Sequence, residues 1–148
     1  MLTVADIMTT QPQTLGPDDS VATARELMAE HNCRHIPIVD GGGGLVGLVS
    51  QRDILAASGS SLFAEAGESE AESYVALSAV MTETVQTIDS HASLRGTAMY
   101  LQQHKLGCLP VVDDGQLTGI VTDSDFVAVA INLLEQAEMG EPEELDLD

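Results

Sequence analysis

Leu45-Val46-Gly47-Leu48-Val49-Ser50-Gln51-Arg52-Asp53 and Leu117-Thr118-Gly119-Ile120-Val121-Thr122-Asp123-Ser124-Asp125 are two copies of one pattern within 148 residues. Each opens on an apolar run of strand length, Leu45 to Val49 or Leu117 to Val121. A hydroxyl follows, Ser50 or Thr122, and a carboxylate stands three residues further on, Asp53 or Asp125. Apolar residues then resume at helical spacing, so each copy predicts a strand that turns directly into a helix. A hydroxyl at such a junction satisfies backbone N–H groups that have no partner inside the helix. The same amides suit an anion, and the acid one turn on can accept two hydrogen bonds from a diol such as a ribose. Capping alone, with a first-turn acid favoured by the helix dipole, accounts for these residue types as well.

The agreement extends beyond the two stretches. Met8-Thr9, Gln13-Thr14, Ser20 and His31 recur 73 residues later as Met81-Thr82, Gln86-Thr87, Ser93 and His104. Pro37-Ile38-Val39-Asp40 recurs as Pro110-Val111-Val112-Asp113, and one deletion in the following turn changes the offset to 72. The chain reads as a tandem repeat. The first repeat is placed at 1–57 and an acidic Ala/Ser/Glu linker at 58–75. The second repeat with a C-terminal helix occupies 76–137, and an acidic tail 138–148.

One plan serves both repeats. Thr3 to Met8 and Leu77 to Met81 predict a helical turn, and Gln13-Thr14-Leu15 and Gln86-Thr87-Ile88 a short strand. Pro17-Asp18-Asp19-Ser20 starts a helix carrying Val21, Ala24, Leu27 and Met28 on one face and ending near His31-Asn32. Its counterpart carries Leu94, Thr97, Ala98 and Leu101. Strands at Ile36 to Val39 and Leu109 to Val112 turn back through Asp40 with Gly41 to Gly44, and through Asp113-Asp114-Gly115. The fold class is α+β, two β-α-β-β-α repeats, each too small to bury its sheet alone. The final helix is expected to run to roughly Ala137.

Composition narrows the function. Formal net charge is −19 with only five basic residues, which repels nucleic acid and anionic membranes alike. No apolar run approaches a membrane span, and the N-terminus lacks the basic start and apolar core of a secretory signal. Cys33 and Cys108 provide no disulfide framework. These features predict a soluble cytoplasmic protein. No Ser-His-Asp order, Gly-rich phosphate loop or metal-binding Glu/His helix is present, so no enzyme activity and no catalytic residue are expected. His31-x-Cys33-x-His35 offers metal ligands, but it spans a helix end and a strand start with no second cluster to complete it; no metal site is expected.

The doubled pattern of Gly-apolar-apolar-(Ser/Thr)-x-x-Asp, each copy preceded by apolar-Pro-apolar-Val-Asp and a turn, resembles a pair of CBS (cystathionine-β-synthase-type) domains. The resemblance covers nearly all of the chain except linker and tail. It implies two repeats related by a pseudo-twofold axis with their sheets packed together, two clefts between them, and pairing of the module into a disc-like homodimer. It also implies an adenosine-type regulatory ligand, namely AMP, ADP, ATP or S-adenosylmethionine, with no required cofactor. By position in the family pattern, one cleft takes Thr122 and Asp125 together with Thr10, Gln13, Cys33, Arg34, His35 and Pro37. The other takes Ser50, Arg52 and Asp53 with Gln86, Leu106, Gly107, Cys108 and Pro110. The implied function is a regulatory module that signals to a protein target by conformational change; a ligand-free interaction or scaffold protein with vestigial clefts is the alternative.

The clefts differ in charge. Arg34 and His35 belong to the first, while the second has Gly107 and Cys108 at the equivalent positions and Glu83 nearby, with Arg52 available to compensate. That difference predicts tighter nucleotide binding in the Thr122/Asp125 cleft. The negative field of the whole chain favours AMP or a cationic ligand over ATP.

Overall fold

The computed structural model describes residues 2–58 and 75–140, so most of the expected linker and tail lies outside the described residues. In chain order the elements are β1 (Thr9–Thr10), α1 (Val21–His31), β2 (His35–Val39), β3 (Leu45–Ser50), α2 (Gln51–Ser58), α3 (Leu94–His104), β4 (Cys108–Asp113), β5 (Gln116–Thr122) and α4 (Asp123–Gly140). Short 3-10 turns, Val4–Asp6 and Leu77–Ala79, lead into the two repeats. The last helix continues to Gly140, past its expected end.

Local chemistry sets the element ends. Ser20 Oγ accepts from Thr23 N–H at 3.1 Å and Ser93 Oγ from Gly96 N–H at 3.0 Å, capping α1 and α3. Asn32 and Lys105 close the same helices in the left-handed region, at φ 51° and 54°. In the β2–β3 turn, Asp40 Oδ1 accepts from Gly42 and Gly44 N–H, both at 2.9 Å. The β4–β5 turn instead places Asp114 and Gly115 at φ 51° and 78°, the backbone a tight hairpin requires.

The expected strands near Leu15 and Ile88 shrink to single parallel bridges, Leu15 to Ile38 and Ile88 to Val111. The more important pairing comes from the residues just before them. Thr9 and Thr10 pair with Ile120 and Gly119 of the other repeat, giving a β1-β5-β4 sheet beside the two-stranded β2-β3 sheet. Thr82 likewise exchanges two 2.9 Å hydrogen bonds with Leu48. The 3-10 turns also cross: Val4 and Ala5 donate to Ala92 and Ser90 carbonyls at 2.9 Å, and Leu77 and Ser78 to Asp19 and Pro17 carbonyls at 2.8 and 3.0 Å.

Each core is closed by a residue from the opposite half. Leu77 is fully buried with Val21, Ala24, Met28, Ile36, Ile38, Val49 and Ile54. Val4 is fully buried with Leu101, Leu109, Val111 and Val121. Burial of one such side chain contributes about 1.5–3 kcal/mol.

The crossing needs glycine at the centre of each motif. A Cβ on Gly119 would stand 2.7 Å from Met8 Sδ and 2.8 Å from the Thr9 carbonyl oxygen; one on Gly47 would stand 2.5 Å from Met81 Sδ and 3.1 Å from the Thr82 carbonyl oxygen. A thioether can turn aside, but a paired backbone carbonyl cannot. Gly119→Ala is therefore expected to cost about 1–3 kcal/mol in urea unfolding, whereas Gly140→Ala, with nothing within 4 Å, does not destabilise the chain.

Candidate ligand-binding clefts

Both strand-to-helix junctions are closed by their own side chains. Ser50 N–H donates to Asp53 Oδ2 at 2.9 Å, and Asp53 N–H donates back to Ser50 Oγ at 3.0 Å. Thr122 donates to Asp125 Oδ2 from its N–H at 2.8 Å and from its hydroxyl at 3.3 Å. The next amide ties each junction to the strand beside it: Gln51 N–H donates to the Arg34 carbonyl at 2.9 Å, and Asp123 N–H to the Gly107 carbonyl at 3.0 Å. Each junction is thus pinned both to its own cap and to the neighbouring strand.

A cavity of about 630 Å³ lies against the Thr122 junction, within the size range of small-molecule sites. Gln13, Cys33, Arg34, His35 and Thr122 meet there, with Thr9, Gln11, Pro12, His31, Asn32, Ile120, Asp123 and Ser124. Three expected residues stand outside the wall. Thr9 lines it in place of Thr10, because successive strand residues face opposite sides. Pro37 is fully buried and its carbonyl accepts from Leu15 N–H at 3.3 Å, while Asp125 sits behind Thr122 in the cap. His31, Cys33 and His35 share the wall, but their ligand atoms do not converge. Among the described residues the grouping whose ligand atoms lie within 4.8 Å is Asp89, His91 and Asp113. It belongs to neither cleft, and Asp113 already accepts from Ser90 N–H and the Thr118 hydroxyl.

A second cavity, about 560 Å³, lies against the Ser50 junction. Ser50, Arg52, Leu106 and Gly107 line it as expected, joined by Arg34, His35, Gln51, Leu55, Lys105 and Asp123. Gln86 is absent because its Oε1 accepts the Tyr100 hydroxyl. Cys108 and Pro110 are buried in β4, and Asp53 is held in its cap. Glu83 lines a different hollow with Leu45, Val46, Val85 and Thr87, so it does not oppose an anion here.

Comparison with known proteins gives this arrangement its family. The family model described as CBS domain matches residues 4–60 and again 77–132. The chain belongs to the CBS domain family. The structure of the Vibrio cholerae protein AcuB, named for acetoin utilization, superposes on this CBS pair with a TM-score of 0.81 at 46% identity, covering 96% of this chain and 99% of that one. CBSX2 in complex with AMP gives a TM-score of 0.77 at 30% identity over 90% and 99% of the two chains. The CBS domain pair of protein MJ0100, in complex with 5′-methylthioadenosine and S-adenosylmethionine, gives 0.75 at 28% over 90% and 98%. A curated relative, homoserine O-acetyltransferase of Methanocorpusculum labreanum, is 35% identical over 122 residues, covering 82% of this chain; the chain spans only 23% of its length. Enzyme-named relatives of that kind thus match a CBS pair within a larger protein. No helix among the described residues is long and apolar enough to cross a membrane.

The electrostatics of this CBS pair differ from the charge pattern expected along the sequence. Arg34, His35 and Asp123 line both cavities, so the basic pair does not belong to the first cleft alone. With Glu83 elsewhere, both reasons for a more favourable first cleft fall away. Sequence reasoning also missed Lys105 and Asp123 as wall residues; their signal was position, one closing α3 and the other opening α4 beside the motif hydroxyl. Burial lowers the pKa of His35, reinforced by Arg34, while Asp123 and Asp53 pull it upward. The Cys108 thiol is pushed up to about 12, first by burial and then by Asp123 and Asp125. Burial raises the half-buried Cys33 thiol as well. Native protein treated with iodoacetamide near pH 8.5 should therefore label at Cys33 and leave Cys108 unmodified, as read by peptide mass spectrometry. Labelling of both would mean that β4 opens readily.

Proposed function

We propose that this CBS pair is a regulatory module that holds an adenosine-type ligand between its repeats and does no chemistry itself. AMP is the foremost ligand, with ADP, ATP or S-adenosylmethionine as further members of the class. One observation carries the reading: both cavities are walled by residues from both repeats. A ligand in either cleft touches both halves, favours one relative orientation, and so shifts the population presented to a protein target. Asp53 and Asp125 lie behind the walls and act on the ligand by holding Ser50 and Thr122 in place through their caps. The adenosine compounds held by CBSX2 and MJ0100 support the ligand class. The two free cysteines fit a cytoplasmic setting.

Calorimetry with AMP and with adenosine tests the reading. Asp53→Ala and Asp125→Ala are each expected to lower ligand affinity at their own cleft by about tenfold, because each removes the cap that holds Ser50 or Thr122 on the wall. The completed caps favour a second reading, a scaffold with vestigial clefts. That reading predicts no rise in unfolding midpoint with any adenosine compound, whereas a ligand bound only by the native state must raise it.

The module also pairs with a second copy. Val127, Ile131 and Leu134 form one stripe along α4 and are 57, 52 and 59% exposed, apolar area of the kind that marks an interface. Ile131→Asp is expected to shift the protein from dimer to monomer in light scattering without loss of helical signal.

A further inference from the structure

We propose that the two clefts divide their ligands by charge: the Ser50 cleft takes the phosphate-bearing nucleotide and the Thr122 cleft a phosphate-free adenosine derivative, neutral or cationic. This rests on the reading of both clefts as adenosine sites. The chain has five basic residues against 24 acidic ones, and Arg34, Arg52 and Lys105 all line the Ser50 cleft. Its wall opposes those three cations with one carboxylate, Asp123. The wall of the Thr122 cleft holds Arg34 as its one Arg or Lys, against the same Asp123. A phosphate dianion is drawn to the first of these walls far more than to the second.

Helix stability does not explain the cations. Arg52 sits in the first turn of α2, where a positive charge opposes the helix dipole. Lys105 occupies a left-handed position at φ 54°, a conformation that disfavours side chains bearing a Cβ.

Arg34 links the clefts. Its main-chain carbonyl is fixed by Gln51 N–H, while its side chain lies in the wall the cavities share. The repeat-related partner of Arg34-His35 is Gly107-Cys108, so one guanidinium serves where symmetry would supply two. Gly107 faces His35 and Asp123, which a Cβ there would only touch, at 3.5 Å from His35 Cε1 and 3.8 Å from Asp123 Oδ2. A phosphate bound in the Ser50 cleft engages Arg34 and leaves Asp123 to repel a second phosphate in the other. Phosphate-bearing ligands in the two clefts therefore oppose each other, while an uncharged ligand in the Thr122 cleft does not.

The test is calorimetry with AMP and with adenosine at one low salt concentration, on the wild type, on Arg34→Gln and on an Arg52→Gln/Lys105→Asn double variant. Asn is chosen at 105 because it tolerates the left-handed backbone, and far-UV circular dichroism confirms folding. The wild type should bind one AMP per chain, with any second at least tenfold weaker. The double variant should lose tenfold or more in AMP affinity and less than twofold in adenosine affinity. Arg34→Gln should weaken the first AMP and bring the two steps closer together. Two AMP sites within threefold of each other, or unchanged AMP affinity in the double variant, would overturn the division of ligands while leaving the adenosine reading intact. Failure of both AMP and adenosine to bind the wild type would overturn both.

Discussion

A Met-Thr pair passes over a bare glycine at two places, and both cores depend on that close approach. Met8-Thr9 crosses Gly119 and Met81-Thr82 crosses Gly47. The backbone pairing that results pins each lead-in to the opposite repeat and delivers Val4 or Leu77 into a core that its own half does not complete. The first cleft inherits its shape from the same crossing, because Thr9 and the residues after β1 form one wall while the Thr122 junction forms another. Packing and binding site follow from one steric condition.

The junction residues serve two purposes without conflict. Capping uses one oxygen of each aspartate and the N–H of the last strand residue, Ser50 or Thr122, which fixes the direction in which the strand enters the helix. A fixed entry direction places the hydroxyl of Ser50 or Thr122 on the cavity wall. The structural role thus makes the binding role cheaper, since no group has to be ordered when a ligand arrives. What differs between the clefts is not the junction but the opposing wall, where one repeat contributes Arg34-His35 and the other Gly107-Cys108.

Much of this was legible in the sequence because it is punctuated locally. Ser20 and Ser93 marked helix starts, Asp40 with its glycines and Asp114-Gly115 marked turns, and the spacing of Val21, Ala24 and Met28 marked a buried face. Each of these signals acts within a few residues. The crossed pairing was not legible: a two-residue strand at Thr9–Thr10 has no alternation to read, and its partner lies more than 100 residues away. The short strands expected near Leu15 and Ile88 were overcounted for the same reason. Position in the family pattern puts Glu83 near the second cleft, whereas the fold sets it in a hollow with Leu45, Val46 and Thr87. Lys105 lies outside the repeated motif, and only the fold brings it beside Arg34 on the wall of the Ser50 cleft.

The convergence of three cations in a chain of net charge −19 gives the molecule a potential whose sign depends on distance. An approaching anion meets repulsion from the whole surface until it is within roughly a Debye length, about 10 Å at 0.1 M salt, and attraction only at the mouth itself. Added electrolyte shrinks the outer barrier more than the inner well. Capture of a phosphate compound would accordingly quicken as ionic strength rises toward physiological levels, the reverse of the slowing seen when a basic surface recruits nucleic acid.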